Sequence, residues 1–425
     1  LEEILFVIAV TAISIPVFLS GKSASTEKDF SLADRQASSL SVAAIIIGTL
    51  VGGASTIGTV QLAYKFGLSA WIFTLGSGIA CLLLGLFFAR PLRNAETTTV
   101  SEYLGLFLGN GFRKYSSMFT SVGIFIHIIA QILASASILI VVFDMSLKSA
   151  SIASVTILGI FTLSGGIKST AAMGKIKIII IYGVILSCFL IAIFKSGGFA
   201  DLSSKLPRDI NWFSLFSYGR KDAAFDLLSM VIGVLATQTY LQAIFSARSV
   251  SEAKKGAFLS ALLIPPIGLM GVFIGMYLKA SHPELESATT AALPYFIESY
   301  FPIAVSTLFM AFIFIIIVGT GSGLTLGVIT NIYRDILPAK NKSNQLKRIR
   351  IIGVILLMVA LIVVLLELNN VILEWSYLSM GIRGSAVFLP LFLCIFIKRI
   401  TGNKKVRLLL YAIPVIYLLL NLMIL

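Results

Sequence analysis

Runs of apolar residues, most of them roughly 18 to 27 residues long, recur along the whole chain and are separated by short, mostly basic segments. An α-helix rises about 1.5 Å per residue, so each run is long enough to cross a hydrocarbon layer of about 30 Å. A segment inside lipid must satisfy its own backbone hydrogen bonds, which leaves helices and closed barrels as solutions. Barrel strands would show alternating polarity over about ten residues, and nothing here alternates over its length. Of the 425 residues, 58% are hydrophobic and 12% are charged, against about 25% charged in a water-soluble domain. The fold class is therefore an all-α polytopic membrane protein.

Helices are predicted at about 3–20, 39–62, 69–90, 115–143, 150–164, 175–194, 225–246, 257–279, 303–330, 349–367, 373–397 and 405–424, about twelve transmembrane helices in all. The first run follows Glu2 and Glu3 instead of a basic leader, so it reads as a retained helix and not as a signal peptide. The absence of an initiating Met reads as processing or as an incomplete chain. Of the 33 Lys and Arg residues, 24 fall in one alternating set of inter-helix segments and 8 in the other, with Arg383 inside a helix. The richer set includes Lys168, Lys175 and Lys177. This bias places that set in the cytoplasm and both termini outside, and it accounts for the net charge of +14 without nucleic acid. Cys81, Cys188 and Cys394 lie far apart in apolar segments, with no disulfide or metal spacing. Two long outward loops, 195–224 and 280–302, carry Trp212, Phe213, Phe216 and Tyr218, and Pro294-Tyr295-Phe296. Such aromatics are expected to anchor in the headgroup layer.

Two segments differ from plain lipid-facing helix. Residues 48–59 hold four glycines and four hydroxyl side chains, with Gly52-Gly53 at mid-span. Small residues allow close helix packing, and glycine also permits a local break whose freed carbonyls can hold a cation. Gly319-Thr320-Gly321-Ser322-Gly323 repeats the pattern in the ninth span. The expectation is two interrupted spans whose oxygens meet at mid-membrane. Neither segment contains a carboxylate, which argues against a divalent-metal site. Polar residues elsewhere in the spans are few. His127 and Gln131 share a helix face, as do Gln238 and Gln242. Arg383 lies deep in an apolar run, where an isolated charge is expensive. It reads either as a structural pair or as an anion-recognition group. No nucleotide-binding signature or catalytic acid cluster is visible, so the chain does not read as an enzyme.

Several short motifs in order resemble the sodium:solute symporter family over roughly residues 23 to 405: Gly52-Gly53-Ala54-Ser55-Thr56-Ile57-Gly58 followed by Ala63-Tyr64-Lys65-Phe66-Gly67; Ser164-Gly165-Gly166-Ile167-Lys168; Arg248 through Gly256; and Thr320 through Ile336 with Thr330-Asn331-Ile332-Tyr333-Arg334-Asp335. The resemblance implies a five-plus-five inverted-repeat core, repeat one at 39–194 and repeat two at 225–397. One extra transmembrane helix lies at each end, within 1–22 and 405–425; many relatives have a further helix, so the chain looks short at its C-terminal end. It also implies Na⁺-coupled movement of a small organic solute across the cytoplasmic membrane. By position, the family's sodium ligands fall on the carbonyls of Gly48, Val51 and Ile316 and on the side chains at 319 and 320. Thr320 is retained, but Gly319 stands where the family has Ser, so a replacement ligand would have to come from Ser322, Thr49 or water. Near residue 173, where relatives often carry Thr-Asp, this chain has Met173-Gly174-Lys175-Ile176-Lys177. Two cations there argue against a second sodium site and keep H⁺ coupling open. The substrate cavity carries over onto Ser55, Thr56, His127, Gln131, Gln238, Gln242 and Arg383, a set suited to a carboxylate or amino acid. A transporter-like sensor or regulatory module is the leading alternative, and a channel the second.

Overall fold

Each apolar run is helical in the computed structural model, as a lipid-embedded backbone requires. The structure describes residues 2–21, 35–164, 167–337, 345–366 and 371–422. In chain order the helices are α1 Glu2–Gly21, α2 Ser39–Leu50, α3 Thr59–Phe66, α4 Ile72–Leu83, α5 Ala89–Asn94, α6 Val100–Leu108, α7 Asn110–Phe143, α8 Leu147–Ser164 and α9 Ile167–Ser196. They continue as α10 Phe199–Lys205, α11 Arg220–Val234, α12 Gln238–Ser246, α13 Val250–Ser281, α14 Ala292–Tyr300, α15 Ile303–Asn331, α16 Gln345–Leu365, α17 Ile372–Phe396 and α18 Lys404–Leu422. Among the described residues, eight helical stretches are long and apolar enough to cross a membrane, and Ser39–Leu50 and Leu147–Leu163 are shorter apolar helices. That is fewer than the twelve expected, in part because the span that begins at Ser39 stops at Leu50 and the helix Leu147–Leu163 is short.

The helices pair in an inverted-repeat-like pattern, and each half of the sequence contributes one broken span. The first break follows α2. Val51 leaves the helix with φ −85° and ψ 106°, and a π-helical turn over Ala54–Gly58 leads into α3. The second separates α11 from α12, where Thr237 is extended at φ −81° and ψ 122°. This corrects one expectation: the stretch 319–327 is not interrupted, since α15 runs unbroken from Ile303 to Asn331.

Helix α3 is tied to the loop that precedes α14. Tyr64 Oη donates to His282 O at 2.9 Å, and Gln61 bridges Thr289 Oγ1 at 3.4 Å and Ile372 N at 3.2 Å. The loop before α11 folds inward too. Trp212 is buried, its Nε1 donates to Pro207 O, and its own carbonyl accepts Leu68 N at 2.8 Å. Phe296 is also buried, packed on Tyr277 and Tyr300. Trp212 and Phe296 are therefore core residues and not headgroup anchors, whereas Phe213 and Phe216 stay exposed. At the opposite end, Arg113 pairs with the buried Asp335 just beyond α15 at 2.7 Å. Ala37 is stitched to Ser246 and Arg248 through backbone hydrogen bonds of 3.0 and 2.9 Å.

Candidate functional site

A helix that stops at mid-span leaves carbonyls without their usual amide partners. After Leu50 the carbonyls of Gly48 and Val51 turn toward α15, where Thr320 Oγ1 lies 2.8 Å from Val51 O, 3.3 Å from Gly48 O and 3.1 Å from Ile316 O. Four of the five expected cation ligands therefore converge. Gly319, one residue before Thr320, has no side-chain oxygen to add. Neither proposed replacement closes the gap. Thr49 Oγ1 donates back to Ile45 O at 2.8 Å, and Ser322 makes no described hydrogen bond into the cluster. The break itself is held by side chains: Gln131 Oε1 accepts Gly53 N at 2.8 Å, Ser55 Oγ accepts Gly52 N at 2.9 Å, and Thr56 Oγ1 donates to Gly52 O at 2.8 Å. Ser55 and Thr56, substrate-site candidates by the resemblance, bond locally to the broken backbone at Gly52.

The oxygens that were to hold a cation hold Lys177. Its Nζ donates to Gly48 O at 2.8 Å, Val51 O at 3.1 Å and Thr320 Oγ1 at 2.5 Å, and its side chain is buried. An ammonium has three N–H donors and no acceptor, so all three are matched. Lys177, counted with a cytoplasmic basic set and expected at the very start of the span 175–194, lies well inside α9, which begins at Ile167 and packs along α2. Close approach is possible because Gly174 has no side chain where α9 meets the backbone of Ala44. Ala44 is one turn before Gly48, and Gly174 is nearly one turn before Lys177. Side-by-side helices running in the same direction then bring Lys177 level with the broken carbonyls. A sodium ion added among the same oxygens would meet a second positive charge roughly 4 Å away, a repulsion of about 4 kcal/mol at an effective dielectric of about 20. The residues do not fit Na⁺ while Lys177 stays where it is.

A second buried cation lies between the two breaks. Gln131 touches the first, and His127 is one turn earlier on α7. Arg383 of α17 is fully buried and donates from Nη2 to His127 Nδ1 at 3.2 Å and to Ser379 Oγ at 2.7 Å. Its Nη1 donates to Thr237 Oγ1 at 2.9 Å, at the second break. Arginine can only donate, so His127 accepts at Nδ1 and carries its proton on Nε2, which is buried without a partner. Gln131 Nε2, Thr239 Oγ1 and Tyr240 Oη are likewise buried and unpartnered. Among the described residues neither Arg383 nor Lys177 has a carboxylate partner. Unpaired buried donors beside an uncompensated charge are what a removable polar ligand would satisfy.

Of the remaining predicted residues, Gln242 is buried and already has a partner. Gln238 points away from this cluster, accepting Val100 N at 2.9 Å and donating to Thr98 O at 3.2 Å; it clamps the loop between α5 and α6. Thr237, next to Gln238 in the chain, is not among the substrate-site candidates that the resemblance nominates, and its bond to Arg383 is a tertiary contact. Gly52 sits where a Cβ would lie 2.5 Å from both Gln131 Oε1 and Thr320 Oγ1. Gly52→Leu is therefore expected to cut uptake by at least about tenfold at matched membrane expression, because it crowds the break and not the fold as a whole. Uptake within twofold of wild type would remove the break from the mechanism.

The family model for the sodium:solute symporter family matches residues 30–404. The chain belongs to that family. It is 27% identical over 203 residues to a monocarboxylic acid transporter of Corynebacterium glutamicum, covering 46% of this chain and 37% of that protein. It is 22% identical over 341 residues to the high-affinity choline transporter 1 of Drosophila melanogaster, covering 76% of this chain and 54% of that protein. The matched regions thus span only about a third to a half of these relatives' lengths. A solved structure of a Na⁺-coupled sialic acid symporter, in a substrate-bound outward-open state, superposes with a TM-score of 0.76 at 18% identity over 94% of this chain and 87% of that one. That similarity establishes the shared fold. Within a family whose name refers to sodium, this chain places a lysine among the expected sodium ligands.

Proposed function

We propose that the protein is a secondary transporter that carries a small organic anion or zwitterion, such as a carboxylate or amino acid, across the cytoplasmic membrane by alternating access. The observation that carries this reading is Arg383, a buried charge whose described partners are all neutral. A buried guanidinium without a counter-charge is unfavourable by several kcal/mol, and a carboxylate can meet it with paired hydrogen bonds. His127, Gln131, Thr239 and Tyr240 supply the unpartnered polar groups around it. Broken spans at Val51–Gly53 and Leu235–Thr237 give the backbone two places to bend without disrupting continuous helices, as access alternates. The relative named for monocarboxylic acids supports an anionic solute, the one named for choline does not, and the family membership supports transport. The orientation that goes with this reading has twelve crossings and both termini outside.

The test is uptake into proteoliposomes of paired solutes, one carrying a carboxylate and one with the carboxylate masked as an amide. Arg383→Gln is expected to lower uptake of the charged solute by roughly 100-fold, the loss of about 3 kcal/mol from a desolvated charge pair. Uptake of the neutral analogue should fall far less. Equal loss for both classes would count against anion recognition at Arg383.

A further inference from the structure

We propose that the Lys177 ammonium is a tethered replacement for the sodium ion, so that this member of the family moves its solute without Na⁺. Its transport consequence rests on the reading above; its binding consequence does not.

Three independent features support it. Position comes first: Nζ lies within 3.1 Å of Gly48 O, Val51 O and Thr320 Oγ1, the convergence point of the family's sodium ligands on this chain. Composition comes second. The family's second hydroxyl is absent, Gly319 standing in its place, so the oxygen set left over offers about as many acceptors as one ammonium can use. Third is the way the lysine is delivered. Gly174 lets α9 approach α2 more closely than any larger residue would allow, and the side chain of Lys177 ends inside the protein, buried, with no described carboxylate. An isolated amine on a lipid-facing helix would snorkel to the interface. This one reaches inward to a ring of oxygens.

The chemistry explains the exchange. A sodium ion and an ammonium are both compact monocations that bind carbonyl and hydroxyl oxygens, and both pull the broken end of α2 toward α15. The ion is free to leave after each cycle, whereas the ammonium is bonded to α9. A site built this way keeps the α2–α15 bridge without drawing on a sodium gradient. A lysine that served only as a packing pin would share the same contacts. It would not predict that shortening the side chain creates a sodium site.

The experiment uses the purified full chain in detergent with radioactive sodium and no solute. Wild type is expected to show no saturable Na⁺ binding, and Lys177→Ala, which leaves the carbonyls and Thr320 in place, is expected to bind at least about tenfold more at the same concentration, with Na⁺ raising its melting temperature. Saturable binding to wild type overturns the proposal, and so does a folded, monodisperse Lys177→Ala that binds no more than wild type. If Lys177→Ala does not fold, the wild-type measurement still decides: binding overturns it and the lack of binding upholds it. In proteoliposomes, wild-type uptake is expected to change less than about twofold when external Na⁺ is replaced by K⁺. A larger, Na⁺-dependent stimulation also overturns it. The binding arms stand even if the solute class is wrong.

Discussion

Gly174→Val should leave little folded protein in the membrane. A Cβ at this position would collide with Ala44 O and would come within 2.6 Å of Ala44 C and 3.1 Å of its Cα. These are backbone atoms of α2, so no rotamer change can relieve the contact and the two helices must separate. Overpacking of this kind costs typically 1–3 kcal/mol and more when backbone has to move. The same separation draws Lys177 away from Gly48 O and Val51 O, leaving a buried ammonium with acceptors out of reach. The combined loss should exceed about 4 kcal/mol. Gly183 on the same helix is the control: nothing lies within 4 Å of a Cβ there, and Gly183→Ala should be neutral or slightly stabilising because alanine is the better helix former. Size-exclusion profiles and melting temperatures of the two variants check the contrast. Similar behaviour of Gly174→Val and Gly183→Ala would show that α9 does not depend on that contact.

Arg113→Ala should destabilise the protein by about 3–5 kcal/mol, as expected when one partner of a buried ion pair is removed and the other remains. The Asp335 side chain is fully buried, and Arg113, about a quarter exposed, reaches it at 2.7 Å while also donating to Arg334 O at 3.2 Å. Without the guanidinium, a carboxylate is stranded between α7 and the end of α15. Removing that charge as well should help: the Arg113→Ala, Asp335→Asn double variant is expected to recover at least about 2 kcal/mol, since contacting residues are not additive. Thermal unfolding of the single and double variants in one detergent is the measurement. A double variant as unstable as the single one would mean that the pair's charge is not the source of the loss.

Some of the site was legible in residue order. Gly52-Gly53 signalled a break because glycine tolerates torsions that end a helix, and the helix does end there. Thr320 and the Gly48 and Val51 carbonyls could be aligned from motif spacing and do meet. The second break could not be read this way. Leu235-Ala236-Thr237 contains no glycine or proline, and the backbone becomes extended at Thr237, whose side chain is bonded to Arg383 and back to Gly233 O. Conversely, the glycines at 319, 321 and 323 suggested an interruption, yet α15 continues. Gly321 instead makes room for Leu158 of α8. Glycine density records close packing as well as breaks, and the neighbours decide which.

Membrane residence, the helical class and family membership follow from the sequence alone, because the length and polarity of each run are local properties and lipid allows so few ways to satisfy a backbone. What occupies the cation position is not local. Lys177 lies 129 residues from Gly48 and 143 from Thr320, and in the chain it is one more lysine in a basic stretch. Only the docking of α9 on α2, set by a glycine facing a backbone, brings its ammonium to oxygens that would otherwise await an ion.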